Sequence, residues 1–131
     1  MKYLIILFFI LLSLISINLF SQKPNKSGEK SLTFLNRTVN FGNVRSDTLL
    51  KAKFLFVNSG TDTVEIEYVN PDCTCTDYSL SSSLINPQDT AFVVLSINTA
   101  NRYGYNAVYS TVKANTAVKM YKLTMIFNIK D

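Results

Sequence analysis

The sequence predicts an all-β fold, an immunoglobulin-like β-sandwich of about seven strands preceded by an N-terminal signal peptide helix. Three observations carry that expectation. From Leu32 onward the chain is a series of short runs rich in Val, Ile, Phe, Tyr and Thr, separated by turn residues. Within these runs apolar and polar residues alternate with a period of two, as in a strand with one buried face. No segment there sustains a helical period between caps, and about seven short strands over roughly 100 residues is the pattern of an Ig-like sandwich.

Taken in chain order, residues 1–21 read as an export signal. Lys2 supplies a positive charge, Leu4–Phe20 is apolar apart from Ser13, Ser16 and Asn18, and small Ser21 precedes the polar stretch Gln22–Lys26. Charged start, apolar middle and small-residue site make a secretory signal, with cleavage expected between Ser21 and Gln22. The 17 residues Leu4–Phe20 also stand at the lower limit of a membrane span, roughly 17–25 residues. An uncleaved anchor is therefore the alternative, and membrane contact is expected only through this segment. The expected location is periplasmic or secreted. Residues 22–31, with Pro24 and Gly28, read as a linker, and residues 32–131 as the sandwich domain.

The first strand of the domain is expected at Thr38–Phe41. Thr48–Val57 then sets Leu50, Ala52, Phe54 and Phe56 on one face and Lys51 and Lys53 on the other. After a turn at Asn58–Asp62, Thr63–Val69 alternates Val64, Ile66 and Tyr68 with Glu65 and Glu67. These two segments are expected to pair as a hairpin, the lysines facing the glutamates. A short strand near Thr76–Ser79 follows, then Ala91–Ile97 behind the turn Pro87-Gln88-Asp89, Ala107–Ala114 behind Asn101–Gly104, and Tyr121–Ile129. The near-continuous apolar run Val93, Val94, Leu95 and Ile97 marks a central strand.

Composition excludes much chemistry. With no histidine in 131 residues, Ser-His-Asp and Cys-His nucleophile systems, His-ligated zinc and imidazole switches are ruled out. Four glycines, none in nucleotide-cradle spacing, leave no cofactor expected. The formal net charge is +4, but Lys51 and Lys53, and Lys113, Lys119 and Lys122, are spread along strands. They read as solvated faces that keep sheet edges apart, and nucleic acid is not an expected partner. Asp72 and Asp77 read as ordinary loop carboxylates, so the chain is not expected to be an enzyme.

The order of short motifs adds a resemblance. Phe41-Gly42-x-Val44 and a Phe-rich strand ending in Asn58-x-Gly60 come first. Val64-x-Ile66-x-x-Val69, Cys73-Thr74-Cys75-Thr76, Ile85-x-Pro87, Gly104-x-Asn106 and a strand ending at Asn115 follow. The series resembles a secreted bacterial Ig-like family of unknown function built around a Cys-Gly-Cys-Thr motif. That family is similar in fold to abnormal-spindle, major-sperm-protein and hydin-like interaction domains. The resemblance spans Leu32 to Lys130 and implies a periplasmic or secreted β-sandwich without established enzymatic activity. Two positions depart from it. Gln88 stands where glycine often follows the proline, and Thr74 where glycine usually separates the cysteines.

Cys73 and Cys75 are the only cysteines, and export places them in an oxidising compartment. On an extended segment they share a face, with Cα atoms roughly 6.6 Å apart, at the outer edge of the disulfide range of about 4.4–6.8 Å. Closure is expected to need a kink that glycine supplies through positive φ and β-branched Thr74 resists. Three readings stand: two small side chains packed under a sheet edge, a strained and readily reduced disulfide, or a thiolate pair for a soft metal such as Cu(I). Accessibility discriminates among them, because burial under packed side chains counts against redox chemistry.

Smaller signals complete the reading. Asp47-Thr48-Leu49, Asp62-Thr63-Val64 and Asp89-Thr90-Ala91 each open a predicted strand. They read as turn chemistry, or as glycan acceptors at Thr48, Thr63 and Thr90, since they look like the Asp-Ser/Thr-aliphatic sites of some exported bacterial proteins. Tyr103, Tyr105 and Tyr109 crowd around Gly104, forming either a binding loop of rigid amphipathic side chains or a cover over one end of the core. The leading functional expectation is an exported, non-enzymatic domain for protein interaction or cell-envelope assembly. Its unknown envelope partner would meet an edge strand or the tyrosine loop. Thiol–disulfide or copper handling by Cys73 and Cys75 is the alternative.

Overall fold

In the computed structural model, which describes residues 28–130, the alternating segments become two antiparallel-rich sheets packed face to face. The expected signal segment, its cleavage point and most of the linker lie outside the described residues. The strands are β1 (Leu32–Phe34), β2 (Thr38–Val44), β3 (Leu49–Asn58), β4 (Val64–Pro71), β5 (Thr76–Leu80), β6 (Leu84–Ile85), β7 (Thr90–Asn98), β8 (Gly104–Ala114) and β9 (Met120–Ile129). One sheet has the order β1-β3-β7-β5, the other β2-β9-β8-β4-β6. Nine strands therefore stand among the described residues, where about seven were expected. The two extra ones, β1 and β6, have three and two residues, too few to show an alternation.

The core is built from one alternating face of each long strand. Leu50, Ala52, Phe54 and Phe56 of β3 and Ala91, Val93, Leu95 and Ile97 of β7 meet Val112 of β8 and Leu123, Met125 and Phe127 of β9 in one buried cluster. Phe54, Phe56 and Phe127 are fully buried, and each such side chain contributes about 1.5–3 kcal/mol on leaving water. As its apolar run suggests, β7 is central, hydrogen-bonded to β3 on one side and β5 on the other.

Two sequence expectations are corrected. β3 and β4 do not form a hairpin: β3 pairs with β1 and β7, while β4 pairs with β8 and β6. Both segments carry a strongly apolar face, and the larger gain comes from placing those faces opposite each other across the sandwich. The Asn58–Asp62 turn thus passes from one sheet to the other. Lys53 instead lies 3.9 Å over the Phe92 ring, and Glu67 takes a 2.7 Å ion pair from Lys113 of β8. The hydrogen bond to Glu67, and then its charge, hold the Lys113 ammonium above the usual lysine range. On the Lys113 side, stability from this pair is intact at neutral pH and is lost as pH rises through that raised value. The second correction concerns Tyr68. A register shift between Ile66 and Tyr68 inserts a residue, so Val69 turns into the core and Tyr68 out, as a bulge requires.

Each end of the sandwich is tied by one fully buried polar side chain. At the β3–β4 end, Asn58 Nδ2 donates to the carbonyls of Asp62 (2.8 Å) and Ile85 (2.9 Å), and Oδ1 accepts from Gly60 N–H (2.9 Å). Position 60 requires glycine because a Cβ there would run into the Glu29 carbonyl. At the opposite end, Thr99 Oγ1 accepts from Thr48 N–H (2.8 Å) and lies 3.0 Å from the Arg45 carbonyl. Both residues are wholly buried, so their own polar atoms have no water to fall back on.

Urea unfolding is expected to show Asn58→Ala less stable by about 2–3 kcal/mol, since several backbone groups lose their partner at once. Gly60→Ala is expected to cost at least as much, because backbone must move. Thr99→Val, which keeps shape and removes only the hydroxyl, is expected to cost about 1–2 kcal/mol. Changes below about 0.5 kcal/mol in all three would show that the ends hold without these ties.

Candidate functional site

At the Thr99 end three connections converge: residues 45–48 between β2 and β3, 72–75 between β4 and β5, and 99–103 between β7 and β8. Three of the five positive-φ residues among the described residues are here, Asp47 (53°), Asn101 (59°) and Gly104 (57°). Two of them are not glycine, and a left-handed residue with a side chain is uncommon enough to mark a loop held in place by its surroundings.

The cysteine pair lies in the second connection. Asp72 N–H donates to the Tyr109 carbonyl (3.0 Å), extending the β4–β8 ladder one residue past Pro71. The chain then turns at once, Thr76 N–H closing on the Cys73 carbonyl (3.1 Å). This β-turn brings the Cα atoms of Cys73 and Cys75 to 5.1 Å, and the two sulfurs are bonded. Thr74 is not among the positive-φ residues. The expected left-handed kink is thus not used: the turn shortens the separation with both central residues at negative φ, which threonine tolerates. Gln88, the other departure from the family pattern, does take the glycine conformation, at φ 68°.

Cys75 is exposed and Cys73 half-buried, so the bridge is open to solvent rather than packed under a sheet edge. Among the described residues no group of three His, Cys, Asp or Glu side chains is placed to hold a metal. As a staple the bridge does little. Closing so short a loop removes roughly 2 kcal/mol or less of unfolded-chain entropy, comparable with one buried Phe side chain.

What sequence reasoning missed is Arg102. Its Nη2 stands 2.7 Å from Cys75 Sγ and 3.5 Å from Cys73 Sγ. Several contacts aim it. Arg102 N–H donates to the Thr99 carbonyl (3.2 Å), and Nη1 donates to Asn106 Oδ1 (3.2 Å). Asn106 Nδ2 in turn donates to the carbonyls of Tyr103 (3.1 Å) and Gly104 (2.9 Å). The two ion pairs among the described residues are Lys30–Asp62 and Lys113–Glu67; the Arg102 charge is directed at sulfur, not at a carboxylate. Cys73 Sγ also accepts from Cys75 N–H (3.2 Å). The Gly104-x-Asn106 motif was the one sequence signal within reach, since Asn106 is what orients the guanidinium.

The other candidate residues are distributed as follows. Tyr103 and Tyr105 are 79% and 71% exposed beside Arg102. Tyr109 is apart from them, on the outer face of β8 under Lys122, whose Nζ is 3.6 Å from its ring centroid. Thr90 is exposed, whereas Thr48 and Thr63 are half-buried. Their hydroxyls lie 3.4 Å from the Ser46 carbonyl and 3.3 Å from Asn86 Oδ1 respectively. Asp62 Oδ1 accepts from Thr63 N–H (2.8 Å), which is the turn chemistry of the Asp-Thr step. A shallow cleft lined by Leu32, Phe34, Val118 and Tyr121 lies at the other end of the sandwich, remote from the bridge.

No curated protein matches the chain. Among solved structures, it is similar to a protein of unknown function from Porphyromonas gingivalis W83, at 12% identity and a TM-score of 0.65, covering 85% of this chain and 51% of that one. The chain thus spans about half the length of that protein. It is also similar to the ASH / PapD-like domain 7 of human CEP192, with 10% identity, a TM-score of 0.60 and coverage of 76% and 85%. The YadV chaperone matches at 10% identity and a TM-score of 0.51, over 76% of this chain and 52% of that one. At such identities the likeness is one of fold, a PapD/Ig-like sandwich. The family model described as "Protein of unknown function (DUF1573)" matches residues 32–129, the whole sandwich from β1 to β9. The chain belongs to the DUF1573 family.

Proposed function

We propose that this chain is an exported interaction domain of the cell envelope that receives a partner's strand along β5. The observation that carries this reading is the state of the four sheet edges. β1 and β6 have three and two residues, and β2 is interrupted by a register shift between Asn40 and Asn43. Of these four outermost strands, β5 is the one with five residues in unbroken register, Thr76–Leu80 against Ile97–Val93.

Its hydrogen-bond phase follows from the next residue. Ser81 N–H donates to the Phe92 carbonyl (3.0 Å). In an antiparallel ladder every second residue exchanges both bonds with its partner, so Ser79 and Asp77 turn toward β7. Tyr78 and Leu80 then present N–H and C=O to the open edge, and the side chains of Asp77, Tyr78 and Ser79 are exposed. An added strand would find backbone partners here, while Asp77 discourages indiscriminate pairing. The apolar start of the sequence supports export. The named relatives include a chaperone and a PapD-like domain, which agrees with a binding role and supports it by fold alone.

A photoreactive residue at Ser79 is expected to yield a discrete adduct with an envelope protein in the native host. The same residue at Lys51, on the outer face of β3, is expected to yield none. Tyr78→Pro removes an outward N–H without touching the β7 ladder and is expected to abolish the adduct at unchanged thermal unfolding. Equal labelling from both positions, or an adduct indifferent to Tyr78→Pro, would overturn docking at β5.

A further inference from the structure

We infer that Cys73, Cys75 and Arg102 form a thiol–disulfide exchange site that oxidises paired thiols, with Cys75 as the exchanging sulfur and Arg102 as the charge that stabilises its thiolate. The inference stands on geometry separate from the β5 edge, so either can fail without the other.

Three observations converge. The bridge is at the surface, with Cys75 exposed. A guanidinium reaches both sulfurs, at 2.7 and 3.5 Å. And the bridge spans only one intervening residue, a loop whose closure adds little to stability. A cation beside sulfur favours the thiolate over the thiol. Stabilising the reduced form in this way makes a disulfide a stronger oxidant. The Arg102 guanidinium is held by Asn106 and pointed at sulfur.

The step balances as follows. A thiolate of the substrate dithiol attacks Cys75 Sγ, the exposed sulfur, and the Cys75–Cys73 bond breaks. The electron pair leaves on Cys73 Sγ, which already accepts the Cys75 N–H (3.2 Å) and lies within reach of Arg102. The substrate's second thiolate then attacks its own sulfur in the mixed disulfide and expels Cys75 as a thiolate, 2.7 Å from Arg102 Nη2. One substrate dithiol becomes a disulfide, and this chain's disulfide becomes a dithiol. Two electrons move, and the two thiol protons of the substrate are released on ionisation and taken up in equal number by the product thiols to the extent that they protonate. Glutathione disulfide drives the reverse reaction with the same balance.

The test uses the native full chain, with dithiothreitol as the dithiol probe and glutathione buffers for the equilibrium. Alkylation followed by mass measurement counts free thiols. The wild type is expected to be reduced under native conditions at least tenfold faster than Arg102→Gln. Its equilibrium with glutathione is expected to lie about tenfold further toward the dithiol, equivalent to about 30 mV. Arg102→Lys, which keeps charge without the fork, is expected to fall between the two.

A second measurement does not depend on Arg102 variants folding. In Cys73→Ser the remaining Cys75 is expected to form a mixed disulfide with glutathione. Its alkylation rate is expected to rise with pH at a midpoint below the ordinary thiol value of about 8.5. In Cys75→Ser the remaining Cys73 is expected to react more slowly. A bridge reduced only after denaturation would overturn the proposal. So would rates and equilibria unchanged in a folded Arg102→Gln, or an ordinary midpoint for Cys75.

Discussion

The structure depends on one constraint, the mutual burial of two apolar sheet faces across the sandwich. Phe54 and Phe56 on one side and Leu123, Met125 and Phe127 on the other are fully buried. Once the sheets are opposed, connections between them must cross at the two ends. There the backbone loses ladder partners while still shielded from water. Asn58 and Thr99 supply the missing partners, which fixes where each loop leaves the core. The position of Arg102 is a consequence of this: its N–H hangs from the Thr99 carbonyl, so a core residue sets the reach of a surface guanidinium.

The disulfide belongs to a different tier of the molecule. Its contribution to stability is bounded by the shortness of the loop it closes, while the core that holds the fold comes from four long strands on which it has no claim. A bridge that is mechanically dispensable, solvent-facing and touched by a cation directed at no carboxylate has the attributes of a chemical group. The neighbouring β5 edge is set by the same turn, since Thr76, whose N–H closes it, is the first residue of that strand. Binding and exchange chemistry therefore share one corner of the sandwich while resting on different atoms, backbone groups in one case and sulfur with guanidinium in the other.

Much of this was legible in the sequence, and the failures have physical causes. Seven strands could be read because period-two alternation reports a half-buried face directly. What alternation does not report is which sheet a strand joins, and β3 and β4 were paired wrongly for that reason. It also assumes an unbroken pleat, so the bulge before Tyr68 exchanged Tyr68 for Val69 at the core. β1 and β6 are held by pairing with β3 and β4 rather than by any pattern of their own. The cysteines are visible, but on an extended chain they stand too far apart to close easily, whereas the backbone uses a hydrogen-bonded turn that accepts Thr74. For Arg102 the one nearby signal is the Gly104-x-Asn106 motif, and it does not point to sulfur. The arginine stands 27 residues from Cys75, and only the folded sandwich brings the two loops together.

If the opposed sheets carry the fold and the bridge is free for chemistry, segment-resolved hydrogen exchange of the oxidised and the reduced protein shows unchanged protection in β3, β7, β8 and β9. Faster exchange on reduction is then confined to residues 72–76 and 99–103. Protection lost across the core strands on reduction would contradict this and make the bridge a structural staple.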